Sequence, residues 1–172
     1  MLGLVHIYCG DGKGKTTAAI GLAVRCEVSG RRVLLLQFLK DGTSSEFASL
    51  CHVPGIKVIP QTRTFGFSWT LSDEEKVEAR VYYSGLLEKA FQQCAGVGLL
   101  VLDEALGACT AGMLDESRLL ALLEARPRGL EAVLTGRDPS QALLDAADYV
   151  TEMRKIKHPY SRGIAAREGI EY

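Results

Sequence analysis

CGDGKGKTT, residues 9–17, is the stretch on which the fold turns. It matches the phosphate-loop pattern G-x-x-x-x-G-K-[ST] except at its first place, where Cys9 stands for glycine. A short apolar run, Leu4–Tyr8, precedes it and a helical pattern, Thr16–Ser29, follows. Strand, glycine-rich turn and helix in that order make a concave anion site, because successive backbone N–H groups and the helix dipole face the same point. Gly10, Gly12 and Gly14 let the chain turn tightly and approach phosphate with no side chain in the way. Lys15 offers a charge to phosphate oxygens, and Thr16 a hydroxyl to Mg²⁺. The first glycine of the pattern only guards the entry to the turn, so a small residue such as Cys9 is compatible with binding if its backbone angles are ordinary.

Outward from the loop, apolar runs of strand length alternate with helical patterns. Leu4–Tyr8, Val33–Phe38, Lys57–Ile59, Gly98–Leu102 and Glu131–Leu134 are apolar on both faces, as buried parallel strands are. Helical patterns cover Thr16–Ser29, Asp73–Cys94, Glu116–Ala125 and Pro139–Ala146, and Ser72–Glu75 spells a capping box at the start of the longest. Such alternation predicts a three-layer α/β fold with a mostly parallel central sheet, here P-loop NTPase-like and RecA-like, as a single domain over residues 1–172. Two connections are long, Leu39–Ile56 and Pro60–Leu71, and long loops in a compact domain more often bind than merely connect.

A second chemical signal ends a hydrophobic strand, LLVLDE at residues 99–104. Asp103 and Glu104 offer oxygen ligands of the kind Mg²⁺ prefers, directly or through water. With the loop, they predict a site for a magnesium nucleotide.

Composition narrows the partners. With 47% hydrophobic residues, 24% charged residues and a net charge of −1, nothing draws the chain to nucleic acid or to an anionic membrane. No apolar stretch approaches the roughly 18 residues of a membrane span, and MLGLVHIYC has neither the length nor the basic flank of a signal peptide, so a cytoplasmic location is expected. Cys9, Cys26, Cys51, Cys94 and Cys109 are scattered without a C-x-x-C pair, and His6, His52 and His158 lie far apart. Reduced thiols are expected, with no protein-ligated transition metal.

A phosphate loop alone fits kinases, ATPases and switches. GDGKGKTTAAIGLAVR (10–25), VLLLQFLK (33–40), GFSW (66–69), LLVLDE (99–104), LTGRDP (134–139), AADYVTEM (146–153) and KHPYSRGIAAREGIEY (157–172) follow one another in a single order. Together they resemble the cob(I)alamin (corrinoid) adenosyltransferases of the CobA/BtuR/CobO type, from Gly3 to Tyr172.

The resemblance implies transfer of the 5′-deoxyadenosyl group of ATP to Co(I) of a reduced corrinoid, with triphosphate as leaving group, Mg²⁺ or Mn²⁺ as cofactor, a reductase as electron supplier and a homodimer. It implies nucleotide contacts from Gly10, Asp11 (often Asn in the family), Gly12, Lys13, Gly14, Lys15, Thr16 and Thr17, with Arg25 and Arg137 as further candidates. It favours Glu104, with Thr16, as holder of the metal beside Asp103. It implies that Phe67 and Trp69 close the lower face of the corrin ring. Many relatives carry additional residues before the first strand that help cover the site; here that role is expected from a partner subunit or the Leu39–Ile56 loop. The competing readings are a nucleoside or nucleotide kinase and a non-catalytic ATP-dependent switch. Neither accounts for GFSW or the C-terminal segment.

Overall fold

The computed structural model describes residues 2–40, 45–66 and 68–170. Six strands, β1 (Val5–Cys9), β2 (Arg32–Gln37), β3 (Ile56–Val58), β4 (Val97–Asp103), β5 (Glu131–Thr135) and β6 (Tyr149–Glu152), form one sheet in the order β3-β2-β4-β5-β1-β6. Every pairing among them is parallel.

Alternate residues of the strands feed two cores. Val33, Leu35, Leu99, Val101 and Val133 pack against Ala19 and Ala23 of α1 (Lys15–Val28) and Phe47 of α2 (Ser45–Leu50). On the opposite face, Ile7, Leu34, Leu36, Leu100, Leu102 and Leu134 meet α3 (Asp73–Gln92), α4 (Ala105–Thr110), α5 (Glu116–Glu124) and α6 (Gln141–Asp145) through Tyr83, Leu87, Leu106, Leu119 and Leu143. Two-residue alternation within continuously apolar strands therefore gives three layers. With β5 lying between the loop strand β1 and the acidic strand β4, the fold is P-loop NTPase-like, of the RecA-like kind.

The helices start where local chemistry places them. Ser72 Oγ accepts the Glu75 N–H at 3.2 Å while Glu75 Oε2 accepts the Ser72 N–H at 2.8 Å, completing the expected capping box. Asp115 and Ser140 cap α5 and α6 more simply, each accepting one N–H, from Arg118 and Leu143 respectively. Four elements depart from expectation. Strand β6 has four exposed residues and no apolar run to announce it. Helix α4 is a six-residue turn directly behind the acidic pair, and α2 interrupts the long connection before β3, whose residues 41–44 lie outside the described ones. The expected Pro139–Ala146 helix contracts to five residues because Ser140 is its cap. Among the described residues, no helix is long and apolar enough to cross a membrane.

A parallel sheet collects all of its strand-to-helix connections along one edge, and in such folds the ligand lies outside the carboxyl ends of the strands. Here that edge carries Cys9, Gln37, Asp103, Thr135 and Glu152.

Candidate functional site

The phosphate loop fills the step from β1 to α1. Cys9 ends the strand, 7% exposed and without a positive φ, and the unusual backbone falls on Gly10 (φ 102°) and Gly14 (φ 111°). Gly14 opens α1 with no side-chain cap, and the first turn holds no acidic residue. The capped helices α3, α5 and α6 spend a side-chain oxygen on their first turn; α1 leaves those N–H groups for an anion. Lys15 is 8% exposed and folds back over the loop, its Nζ donating to Gly10 O at 2.8 Å and Gly12 O at 2.9 Å. Burial and the nearby Arg137 guanidinium pull its pKa down, while Glu104 and Asp11 act in the opposite sense.

Opposite the loop, Asp103 is fully buried and held from several sides. Its Oδ1 accepts from Thr16 Oγ1 at 2.8 Å and from Thr135 Oγ1 at 2.7 Å. Its Oδ2 accepts from Gln37 Nε2 at 2.8 Å and lies 3.8 Å from Lys40 Nζ. Of the two acidic residues, Asp103 is the one that the Thr16 hydroxyl bonds. Glu104 adopts the left-handed region (φ 58°), uncommon for a side chain of its kind, and its N–H donates to Thr135 Oγ1 at 2.9 Å. Burial first, then the adjacent Asp103 carboxylate, push its pKa up; Lys40, Lys15 and Arg137 counter them.

This donor set fits a hard divalent cation. The Asp103 carboxylate raises the ionisation cost of Glu104, which a cation would relieve, and the Thr16 hydroxyl lies against Asp103. Among the described residues no cluster of three or more His, Cys, Asp or Glu side chains comes together, so nucleotide oxygens and water would complete the shell.

The remaining candidates divide by position. Arg137 follows β5 and acts electrostatically on Lys15, Asp11 and Glu104, which puts it at the loop. Asp11 Oδ1 accepts the Lys155 N–H at 2.9 Å. Lys13 and Thr17 are exposed along the loop and first turn. Arg25 stands exposed in the last turn of α1, about 15 Å from Lys15 at 1.5 Å per residue, and its charge acts on Tyr8. The structure does not bring it to the loop.

The β3–α3 connection reaches the same edge. Its base is fastened where Gln61 Nε2 donates to Gln37 O, on the residue whose side chain holds Asp103. Tyr82 OH accepts the Thr62 N–H at 2.7 Å, and Phe65 packs on Tyr82 and Tyr83. From this anchored base Trp69 projects 76% exposed. Phe67 lies outside the described residues.

Gln37, Lys40, Thr135 and Met153 were not singled out as site residues by sequence reasoning. A polar residue ending an apolar strand, as in VLLLQ and AVLT, is the signal that points to the first and third of them.

Fold and site together define an α/β protein of P-loop NTPase-like fold, with a glycine-rich loop after β1 and an acidic strand end facing it. The chain belongs to the family described as ATP:corrinoid adenosyltransferase BtuR/CobO/CobP, whose model matches residues 1–172. It is 34% identical to a corrinoid adenosyltransferase of Pseudomonas aeruginosa over 99% of this chain and 84% of that protein. It is 31% identical to the corrinoid adenosyltransferase CobA of Salmonella typhimurium, over 99% and 86%. A Sinorhizobium corrinoid adenosyltransferase is 30% identical over 99% and 80%.

Proposed function

We propose that this chain, as one domain, transfers the 5′-deoxyadenosyl group of ATP to the cobalt of a reduced corrinoid and releases inorganic triphosphate. The corrinoid is cobalamin or its cobyrinic acid a,c-diamide precursor, and the product serves adenosylcobalamin synthesis or salvage. The observation that carries this reading is the family match along the whole chain, which includes the uncapped α1 and its buried Lys15.

In the reaction Co(I) donates an electron pair to C5′ of the ribose. The cobalt–carbon bond forms, the C5′–oxygen bond breaks, and the pair leaves with the triphosphate. Negative charge grows on the leaving group, so stabilisation belongs where the N–H groups of residues 10–16 and Lys15 converge. Arg137 adds positive charge at the same place. Mg²⁺ or Mn²⁺, held by Thr16 with Asp103 and Glu104, would supply further charge neutralisation when bound. Phe67 and Trp69 take the corrinoid's lower face and keep an axial ligand from cobalt, which eases reduction of Co(II). A separate reductase supplies that electron, and the working form is a cytoplasmic homodimer.

Phosphorus NMR of ATP consumed with chemically reduced corrinoid tests the reading. Triphosphate is the expected product; ADP, or orthophosphate released directly from ATP, would overturn it.

A further inference from the structure

Asp11 is an odd residue for a loop that gathers phosphate, because a carboxylate there repels a polyanion. The structure gives it another task. As the chain leaves β6 it runs back across the loop. Met153 N–H donates to Cys9 O at 2.8 Å, and Gly12 N–H donates to Met153 O at 2.6 Å. The Lys155 N–H then donates to Asp11 Oδ1 at 2.9 Å. The approach is close: a Cβ at Gly10 would stand 2.5 Å from Met153 O, and one at Gly12 2.6 Å from the same atom. Two loop glycines are therefore required by the crossing segment, independently of any ligand.

What crosses is strongly basic. Between Met153 and Arg167 the chain carries Arg154, Lys155, Lys157, Arg162 and Arg167 and no carboxylate. Lys155 itself adds a favourable charge beside Asp11, whose carboxyl is held below its usual range first by the Lys155 N–H.

We propose that Asp11 is a positioning residue, whose carboxylate latches the basic segment 154–157 onto the phosphate loop so that the segment forms an outer wall for a polyphosphate chain. This rests on the loop being a triphosphate site. The carboxylate's own repulsion is offset by the cations it recruits, and the loop and segment respond to the ligand together.

The test compares the full chain with Asp11→Asn and Asp11→Ala. The probe is inorganic tripolyphosphate by calorimetry without corrinoid, and hydrogen exchange is read over residues 153–158. Asn retains the acceptor oxygen and removes the charge; Ala removes both. Asp11→Asn is expected to keep the segment protected and to bind at least as tightly as the parent. Asp11→Ala is expected to lose protection and to bind about tenfold more weakly than Asp11→Asn, the scale of one charge-assisted contact. Equal affinities of the two variants, or undiminished protection in Asp11→Ala, overturn the latch. A parent chain that binds no tripolyphosphate overturns the triphosphate reading and the outer wall with it. Asp11 is exposed, so both variants should melt with the parent.

Discussion

Thr135 donates its hydroxyl hydrogen to Asp103 Oδ1 across 2.7 Å, fastening the end of β5 to the end of β4. Thr135 Oγ1 in turn accepts the Glu104 N–H, so one hydroxyl sets both acidic residues. Thr135→Val keeps the shape and leaves both polar groups short of a partner, which costs about 1–3 kcal/mol. Denaturant unfolding should show that loss together with a fall in activity, and Thr135→Ser should restore most of both. A Val variant that unfolds with the parent would remove Thr135 from this role.

Lys15→Ala should weaken use of ATP by about 10- to 100-fold, the range expected for charge-assisted hydrogen bonds of roughly 1.5–3 kcal/mol. The fold should persist, since Lys15 bonds only to its own loop among the described contacts. Initial rates at limiting ATP measure the effect, and parental rates would contradict the assignment.

Glu104 gives a pH signature. Its folded pKa is raised, so the neutral form is favoured in the folded state. Below the unfolded carboxyl value that preference is fully expressed, and it is lost as pH rises through the folded value. Glu104→Gln stays neutral throughout. In metal-free protein it should match the parent near pH 4 and melt higher near pH 7, with the gap opening as the carboxyl ionises. Activity should fall sharply in the same variant. A constant melting difference across the range would show that the carboxyl does not titrate as described.

Thiol chemistry should single out Cys51. It is exposed, whereas Cys9, Cys26 and Cys94 are buried. Burial raises the thiols of Cys9 and Cys26, takes Cys94 to about 11, and with Glu116 and Asp115 takes Cys109 to about 12. Brief iodoacetamide treatment of the folded protein followed by peptide mass spectrometry should find the label at Cys51, with activity intact after Cys9→Thr. Rapid labelling of Cys9 would mark it as a reactive thiol.

Phe67→Ala and Trp69→Ala should separate two assays. Adenosylation that begins from Co(II) with a weak reductant should collapse, because an axial ligand can return to the metal. With Co(I) prepared beforehand, much of the rate should remain. Equal losses in both assays would make the pair structural.

How far the sequence reveals this protein depends on the kind of signal. The five apolar strands and the three longer helices are legible because both sheet faces are covered, so hydrophobic runs have clear ends. Strand β6 is not, since Tyr149–Glu152 is exposed at all four positions and is placed by its register with His6–Cys9. In the site, the loop and the Asp103–Glu104 pair stand out because several polar residues depart together from an apolar background. Thr135 and Gln37 depart singly, and their meaning appears only when parallel strands bring them beside Asp103. Nor does the sequence foretell the left-handed turn at Glu104, where β4 ends and the Thr16 hydroxyl meets Asp103.

Among the described residues, strand β1 finds its sheet neighbours in residues 132–135 and 149–152. During synthesis, β2, β3 and β4 can pair as they emerge, while β1 waits for more than a hundred residues to follow it. Such distant pairings are slow, because loop closure precedes their reward. A complete sheet is therefore a late event in the life of each molecule: a chain released before residue 149 would expose a bare edge along β1 and a loop without the segment that crosses it, a species for chaperones and proteases to remove.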